Sequence, residues 1–197
     1  MTQRTVGILL FNEVEVLDFA GPFEVFSITA LSDSQKPFVV TTISQTGEMI
    51  SARNGLKVTP DYSFENHPPI DILIVPGGYG AEEIEIHNPA VIQWIQEQTS
   101  KAEFTASVCT GAFLLAKAGI LDGKEVTTHW MDIDLLEKEY PSVLVVRDVK
   151  FVDQGSLITS AGISAGIHMS LHLISRIYGK DIANQTAKRM EYDITIE

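Results

Sequence analysis

The chain has 197 residues, 45% of them hydrophobic and 20% charged, which suffices to bury one sizeable core and would crowd two, so a single domain over residues 1–197 is expected. Its formal net charge of −12 repels phosphate backbones and anionic bilayers, and no concentrated basic patch stands against it; neither a nucleic-acid nor a membrane partner is expected. No apolar run reaches the roughly 18 residues of a membrane span, the amino terminus lacks the order of a secretory signal, and the lone cysteine cannot close an internal disulfide, which together predict a cytoplasmic protein.

Thr5–Phe11 reads as a first buried strand, and Asn12–Asp18 leads from it into a predicted helix over Asp18–Leu31. Asp18 falls where that helix should begin, between apolar Leu17 and Phe19, so it is either an N-cap or a carboxyl delivered to a site. Glu13 and Glu15 read as solvated loop charges, with Glu15 kept as a second-choice acid. Phe38–Ser44 is the second strand, and Met49–Thr59, with its Asn54-Gly55 pair, predicts a hairpin. The third strand, Asp71–Val75, runs into Pro76-Gly77-Gly78-Tyr79-Gly80. The backbone N–H groups of Gly77 and Gly78 would reach the sheet edge as an oxyanion hole; an ordinary tight turn is the plainer alternative, and the Lys and spacing of a phosphate loop are missing.

After a predicted helix over Asn88–Thr99 comes the fourth strand, Glu103–Val108, which passes directly into helix formers at Thr110–Ala118. Cys109 stands at that junction, in Ser107-Val108-Cys109-Thr110-Gly111. A sharp strand-to-helix turn tolerates only small residues two positions either side of its apex, which Ser107 and Gly111 satisfy, so the segment is the thiol analogue of a nucleophile elbow. The first free N–H groups of the helix would there favour thiolate. A buried structural thiol is the alternative.

Met131–Tyr140, Ser164–Tyr178 and Asp181–Glu191 read as further helices and Leu157–Ser160 as a fifth strand, while Leu144–Val146 and Val149–Val152 would pair as a ribbon or add strands. His129, in Thr127-Thr128-His129-Trp130, is the imidazole best placed to line a site with Cys109. His168 and His172 share a helix face but have neither a third ligand nor an HExxH context, so no metal is expected. Strands alternating with amphipathic segments define an α/β fold, a three-layer sandwich whose mostly parallel central sheet carries helices on both faces in flavodoxin-like manner. In such sheets ligands bind beyond the carboxyl ends of the strands, which singles out Asn12–Asp18, Pro76–Gly80 and Cys109.

Together, Leu17-Asp18-Phe19-Ala20-Gly21-Pro22, Val75-Pro76-Gly77-Gly78-Tyr79-Gly80, Ser107-Val108-Cys109-Thr110-Gly111-Ala112 and Thr127-Thr128-His129-Trp130 resemble the ThiJ/PfpI superfamily, which has the class I glutamine amidotransferase-like fold. The Asp18 segment and the Cys-Thr pair are similar to the isonitrile hydratase branch and to the related domain of AraC-type regulators. The resemblance implies Cys109 as nucleophile, Asp18 as acid/base where other branches place Glu, Thr110 assisting beside the thiol, and the amides of Gly77 and Gly78 holding developing negative charge. It also implies a homodimer acting on a small molecule without a cofactor. Thr110 stands where protease-like members have His, which argues against a Cys–His–acid peptidase, and His168 follows Gly166-Ile167 where related sequences often carry Asp. The regulators continue into a helix-turn-helix region; this chain ends at Asp193-Ile194-Thr195-Ile196-Glu197, so a transcription factor is not expected. Three functions follow as expectations: hydration of an isonitrile to an N-substituted formamide, a glyoxalase-like conversion of 2-oxoaldehydes, or a non-enzymatic thiol sensor or small-molecule binding module.

Overall fold

The computed structural model describes residues 3–32, 35–194 and 196. A seven-stranded sheet forms its centre. In chain order the elements are β1 (Arg4–Leu9), α1 (Val16–Ile28), β2 (Phe38–Ser44), β3 (Ile50–Ser51), β4 (Lys57–Val58), β5 (Tyr62–Ser63), β6 (Ile72–Val75), α2 (Tyr79–Glu83), α3 (Pro89–Thr99), β7 (Phe104–Val108) and α4 (Gly111–Lys117). Then follow β8 (Glu125–Val126), α5 (Ile133–Glu139), β9 (Leu144–Val145), β10 (Phe151–Asp153), β11 (Leu157–Ser160), α6 (Ala165–Tyr178) and α7 (Lys180–Arg189).

The sheet runs β10-β11-β7-β6-β1-β2-β5, parallel except for β10, which pairs antiparallel with β11. Every residue of β6, β7 and β11 is buried, because helices cover both faces and leave no room for a polar alternation. One layer packs α1, α6 and α7 together, and the other packs α2, α3 and α4. From β1 the chain winds outward through β2, then returns to place β6 on the other side of β1. That reversal opens a crevice between the carboxyl ends of β1 and β6, the position where doubly wound sheets bind ligands.

The expected α/β sandwich and its five principal strands are present. Asn54 and Gly55 both take left-handed backbone, with φ of 59° and 88°, and turn β3 back onto β4 as the hairpin that dipeptide predicts. Of the two arrangements expected for 144–146 and 149–152, a mutual ribbon or added strands, the second is the one found. β9 lies parallel to β8, and β10 extends the main sheet. Both are too short for periodicity to reveal their partners.

Candidate active site

Three loops converge at the crevice and are stitched together by backbone groups. The Glu15 N–H donates to the Gly77 carbonyl at 2.9 Å and the Gly80 N–H to the Glu13 carbonyl at 3.1 Å, which binds the loop after β1 to the loop after β6. The Gly78 N–H donates to Thr110 Oγ1 at 2.9 Å and so ties in the loop after β7. A Cβ on Gly77 would stand 2.5 Å from the Thr110 nitrogen; only glycine lets these two backbones approach.

Cys109 occupies the turn between β7 and α4 with φ of 56°, a left-handed conformation that costs a non-glycine residue roughly 1–3 kcal/mol. The turn is held from two sides. The Cys109 N–H donates to the Ala161 carbonyl at 3.3 Å, and the buried Thr128 hydroxyl donates to the Cys109 carbonyl at 2.9 Å. Any side chain at Gly111 would collide with the Val75 carbonyl, so the small residue expected after the apex is a steric requirement. The sulfur's residue is 6% exposed.

Asp18 lies in the first turn of α1, not at its cap: the helix begins two residues earlier, and Glu15 precedes it without a side-chain capping bond. Freed from capping, the fully buried Asp18 turns inward, where Oδ2 accepts the Gly77 N–H at 3.0 Å and Oδ1 has no hydrogen-bond partner. Burial raises its pKa to about 7. The Gly77 N–H opposes that shift, the charge of Glu15 adds to it, and the neighbouring Cys109 thiol and Ile163 backbone favour the ionised form more weakly.

The thiol departs from expectation. Burial pushes Cys109 up, and the adjacent Asp18 charge pushes it further. The Thr110 N–H at the start of α4 pulls downward, as the sequence suggests, but a seven-residue helix cannot outweigh desolvation and a carboxylate. The resting pair is therefore a protonated thiol beside a carboxyl that titrates near neutrality. The roles foreseen for Gly77 and Gly78 change as well: both N–H groups are already committed, to Asp18 and to Thr110, so these glycines position the acid and the hydroxyl instead of presenting free donors.

Residues 4–176 match the model of the DJ-1/PfpI family. The chain belongs to that family. It is similar to an isonitrile hydratase of Pseudomonas putida, 35% identical over 187 residues that span 95% of this chain and 78% of that protein. It also resembles the HTH-type transcriptional regulator GbdR of Pseudomonas aeruginosa, 27% identical over 96% of this chain but only 51% of the regulator. The fold is that of a THiJ/PfpI family protein from Pseudomonas syringae, with TM-score 0.87 and 23% identity over 100% of this chain and 78% of that one. Drosophila melanogaster DJ-1beta superposes with TM-score 0.82 and 21% identity, over 98% and 100% of the two chains.

Around this DJ-1/PfpI elbow, the segment after β8 forms one wall. His129 packs its imidazole edge on Gly162 and bonds Asp132 Oδ2 through Nδ1 at 3.1 Å. His129, Trp130, Lys150 and the Gly162–Ala165 turn line a cleft of about 510 Å³ beside the cysteine's Ala161 contact. His129 thus lines this cleft, paired to Asp132, and meets the elbow through Gly162 and Ala161 without a contact to the sulfur among those described. Glu15 lies close enough to act on Asp18 by charge but bonds to Gly77 through its backbone.

His168 and His172 do not act together: His168 faces the Tyr192 ring, whereas His172 Nε2 sits 2.7 Å from Asp153 Oδ2. Among the described residues no group of three His, Cys, Asp or Glu side chains is arranged to hold a metal, and no helix is long and apolar enough to cross a membrane. Sequence reasoning missed Thr128, Glu82 and Asp132. Glu82 stands four residues beyond Gly78, in the first turn of α2, and carries the only available signal: an acid opening a helix at the switch-point loop.

Proposed function

We propose that this protein is a cofactor-free, cysteine-dependent hydratase that converts a small isonitrile to its N-substituted formamide. The observation that carries the reading is a fully buried carboxyl with one unpartnered oxygen beside a strained elbow cysteine. Its similarity to an isonitrile hydratase over nearly the whole chain supports the choice of substrate.

The thiol and Asp18 hold one proton between them. In the first step ionised Asp18 takes the Cys109 proton as sulfur attacks the terminal carbon, and the same proton passes to that carbon, giving a thioimidate with an S–C and a C–H bond formed. In the second, Asp18 takes a proton from water as the oxygen adds to this carbon, and passes it to nitrogen. Loss of the C–S bond then releases the formamide and returns a proton to sulfur, so one water is consumed and nothing is oxidised. Thr110 follows the cysteine directly, its backbone N–H favouring the thiolate and its hydroxyl accepting the Gly78 N–H. Because Asp18 titrates near pH 7, turnover should rise as pH climbs toward neutrality and Asp18 ionises.

The deciding experiment measures formamide by mass from aryl and alkyl isonitriles, with methylglyoxal in parallel. Formation of lactate without formamide would move the assignment to the glyoxalase-like reaction. Unchanged turnover in Cys109→Ala would remove the cysteine from the chemistry.

A second reading is a ligand-binding module, favoured by the match of this chain to about half of a transcriptional regulator. Binding of isonitriles or aldehydes without product would support it. A peroxide-sensing thiol is the poorest fit, since sensor cysteines are exposed and of low pKa while Cys109 is neither.

A further inference from the structure

We propose that this site admits uncharged and cationic small molecules and rejects anionic ones, because carboxyl groups from three separate elements are tied to the turn that carries Cys109. The inference rests on Cys109 being the reactive thiol, but not on the substrate being an isonitrile.

The three groups come from different elements and are each tied to that turn through its neighbours. Asp18 comes from α1 and is anchored on Gly77. Glu82 comes from α2, whose first turn is tied to the site because the Glu82 N–H bonds the Gly78 carbonyl at 3.3 Å and Gly78 in turn bonds Thr110. Its half-buried carboxyl faces the Thr110 hydroxyl. Asp132 comes from the turn before α5 and is oriented by His129, which rests on Gly162 next to the Ala161 that holds the Cys109 N–H. Each of the three raises the Cys109 thiol through its charge, and Asp132 acts on Glu82 in the same way.

The cations found beside these groups do not offset them. Arg53 opposes Glu82, but it is also drawn to Glu13 Oε2 at 3.8 Å and lies over the Tyr79 ring. Lys150 lines the cleft together with Asp148. A site for a carboxylate- or phosphate-bearing substrate would place a guanidinium or ammonium near the nucleophile. Here the unpartnered Oδ1 of Asp18 stands there instead, inside a wall of like charge. An incoming anion meets uncompensated repulsion on its approach from solvent, while a neutral molecule does not.

Alkylation of Cys109 by iodoacetate and by iodoacetamide tests this, with each rate normalised to N-acetylcysteine under the same conditions. The expected result is a normalised preference for the neutral reagent of at least about tenfold at low salt, shrinking as salt is added. Glu82→Gln and Asp132→Asn should each narrow the preference by about threefold, whereas Glu48→Gln, in an exposed loop, should leave it unchanged. A preference below about twofold, insensitive to salt, would overturn the proposal, and the wild-type salt series decides the matter even if either variant fails to fold. With isonitriles, the methyl ester of isocyanoacetate should be turned over at least tenfold better than the free carboxylate. Equal turnover would overturn the charge selection while leaving the hydratase reading intact. Absence of turnover for both, with the alkylation preference preserved, would remove only the hydratase reading.

Discussion

Two aspartates at opposite edges of the same sheet meet opposite fates. Asp153 ends β10 near the amino ends of the parallel strands, where His172 Nε2 lies 2.7 Å away, Arg176 3.0 Å away, and the Gly155 N–H donates at 2.9 Å. Burial alone would raise its pKa, yet these partners hold it below the ordinary aspartate value. Asp18, at the carboxyl edge, accepts the Gly77 N–H and has no cation paired with it among the described residues, and burial raises its pKa to about 7. The first arrangement clasps an edge strand to α6. The second keeps a proton exchangeable at neutral pH, at a cost in stability, which is the pattern of a group retained for chemistry.

The sharpest way to break the comparison is to remove the sulfur. Cys109→Ala should lower isonitrile turnover by about 10⁴-fold or more without loss of fold, read by formamide yield and circular dichroism. Asp18→Asn should lower turnover by roughly 10²–10³-fold while stabilising the protein at alkaline pH. The sign follows from linkage: the folded pKa lies above that of the unfolded chain, so the proton Asp18 holds contributes stability below about pH 4 that is lost as pH rises through 7. Chemical denaturation from about pH 5 to pH 8 should show wild type weakening relative to Asp18→Asn by on the order of 2–4 kcal/mol.

Thr110→Val leaves the buried Gly78 N–H without an acceptor and should cost about 1–3 kcal/mol, together with about tenfold in turnover. Asp153→Ala should leave turnover within about twofold and cost only about 1 kcal/mol. Its folded pKa is depressed, so that contribution is present above about pH 4 and fades as pH falls, and the variant should show a flatter acid limb in denaturation.

Much of this was legible in the chain. The buried strands announce themselves as short β-rich runs, and Cys109 is marked by small neighbours whose necessity the Gly111 contact with Val75 explains. For Asp18 the sequence leaves a cap and a site carboxyl both open, and the choice falls only once the helix is seen to start at Val16 and turn the carboxyl inward. The state of the thiol could not be read, because helix amides are visible in a sequence while desolvation by packed neighbours is not. Gly77 and Gly78 were correctly placed, but hydrogen-bond direction is a tertiary property, and their donors serve Asp18 and Thr110. Asp132 and Thr128 became functional candidates only when the segment after β8 crossed over the elbow, a long-range event that leaves no local periodicity.

The stitching of the three loops divides the pocket into parts that can change at different rates. Acid, hydroxyl and sulfur are locked to one another through Glu15, Gly77 and Gly78, and a substitution there disturbs all of them at once. Trp130, 73% exposed, and the Gly162–Ala165 turn belong to a separate wall that touches this assembly chiefly through Thr128 and Ala161. An engineer seeking new substrates would therefore diversify that wall and leave the stitched glycines alone, exchanging what the pocket recognises while inheriting its chemistry intact.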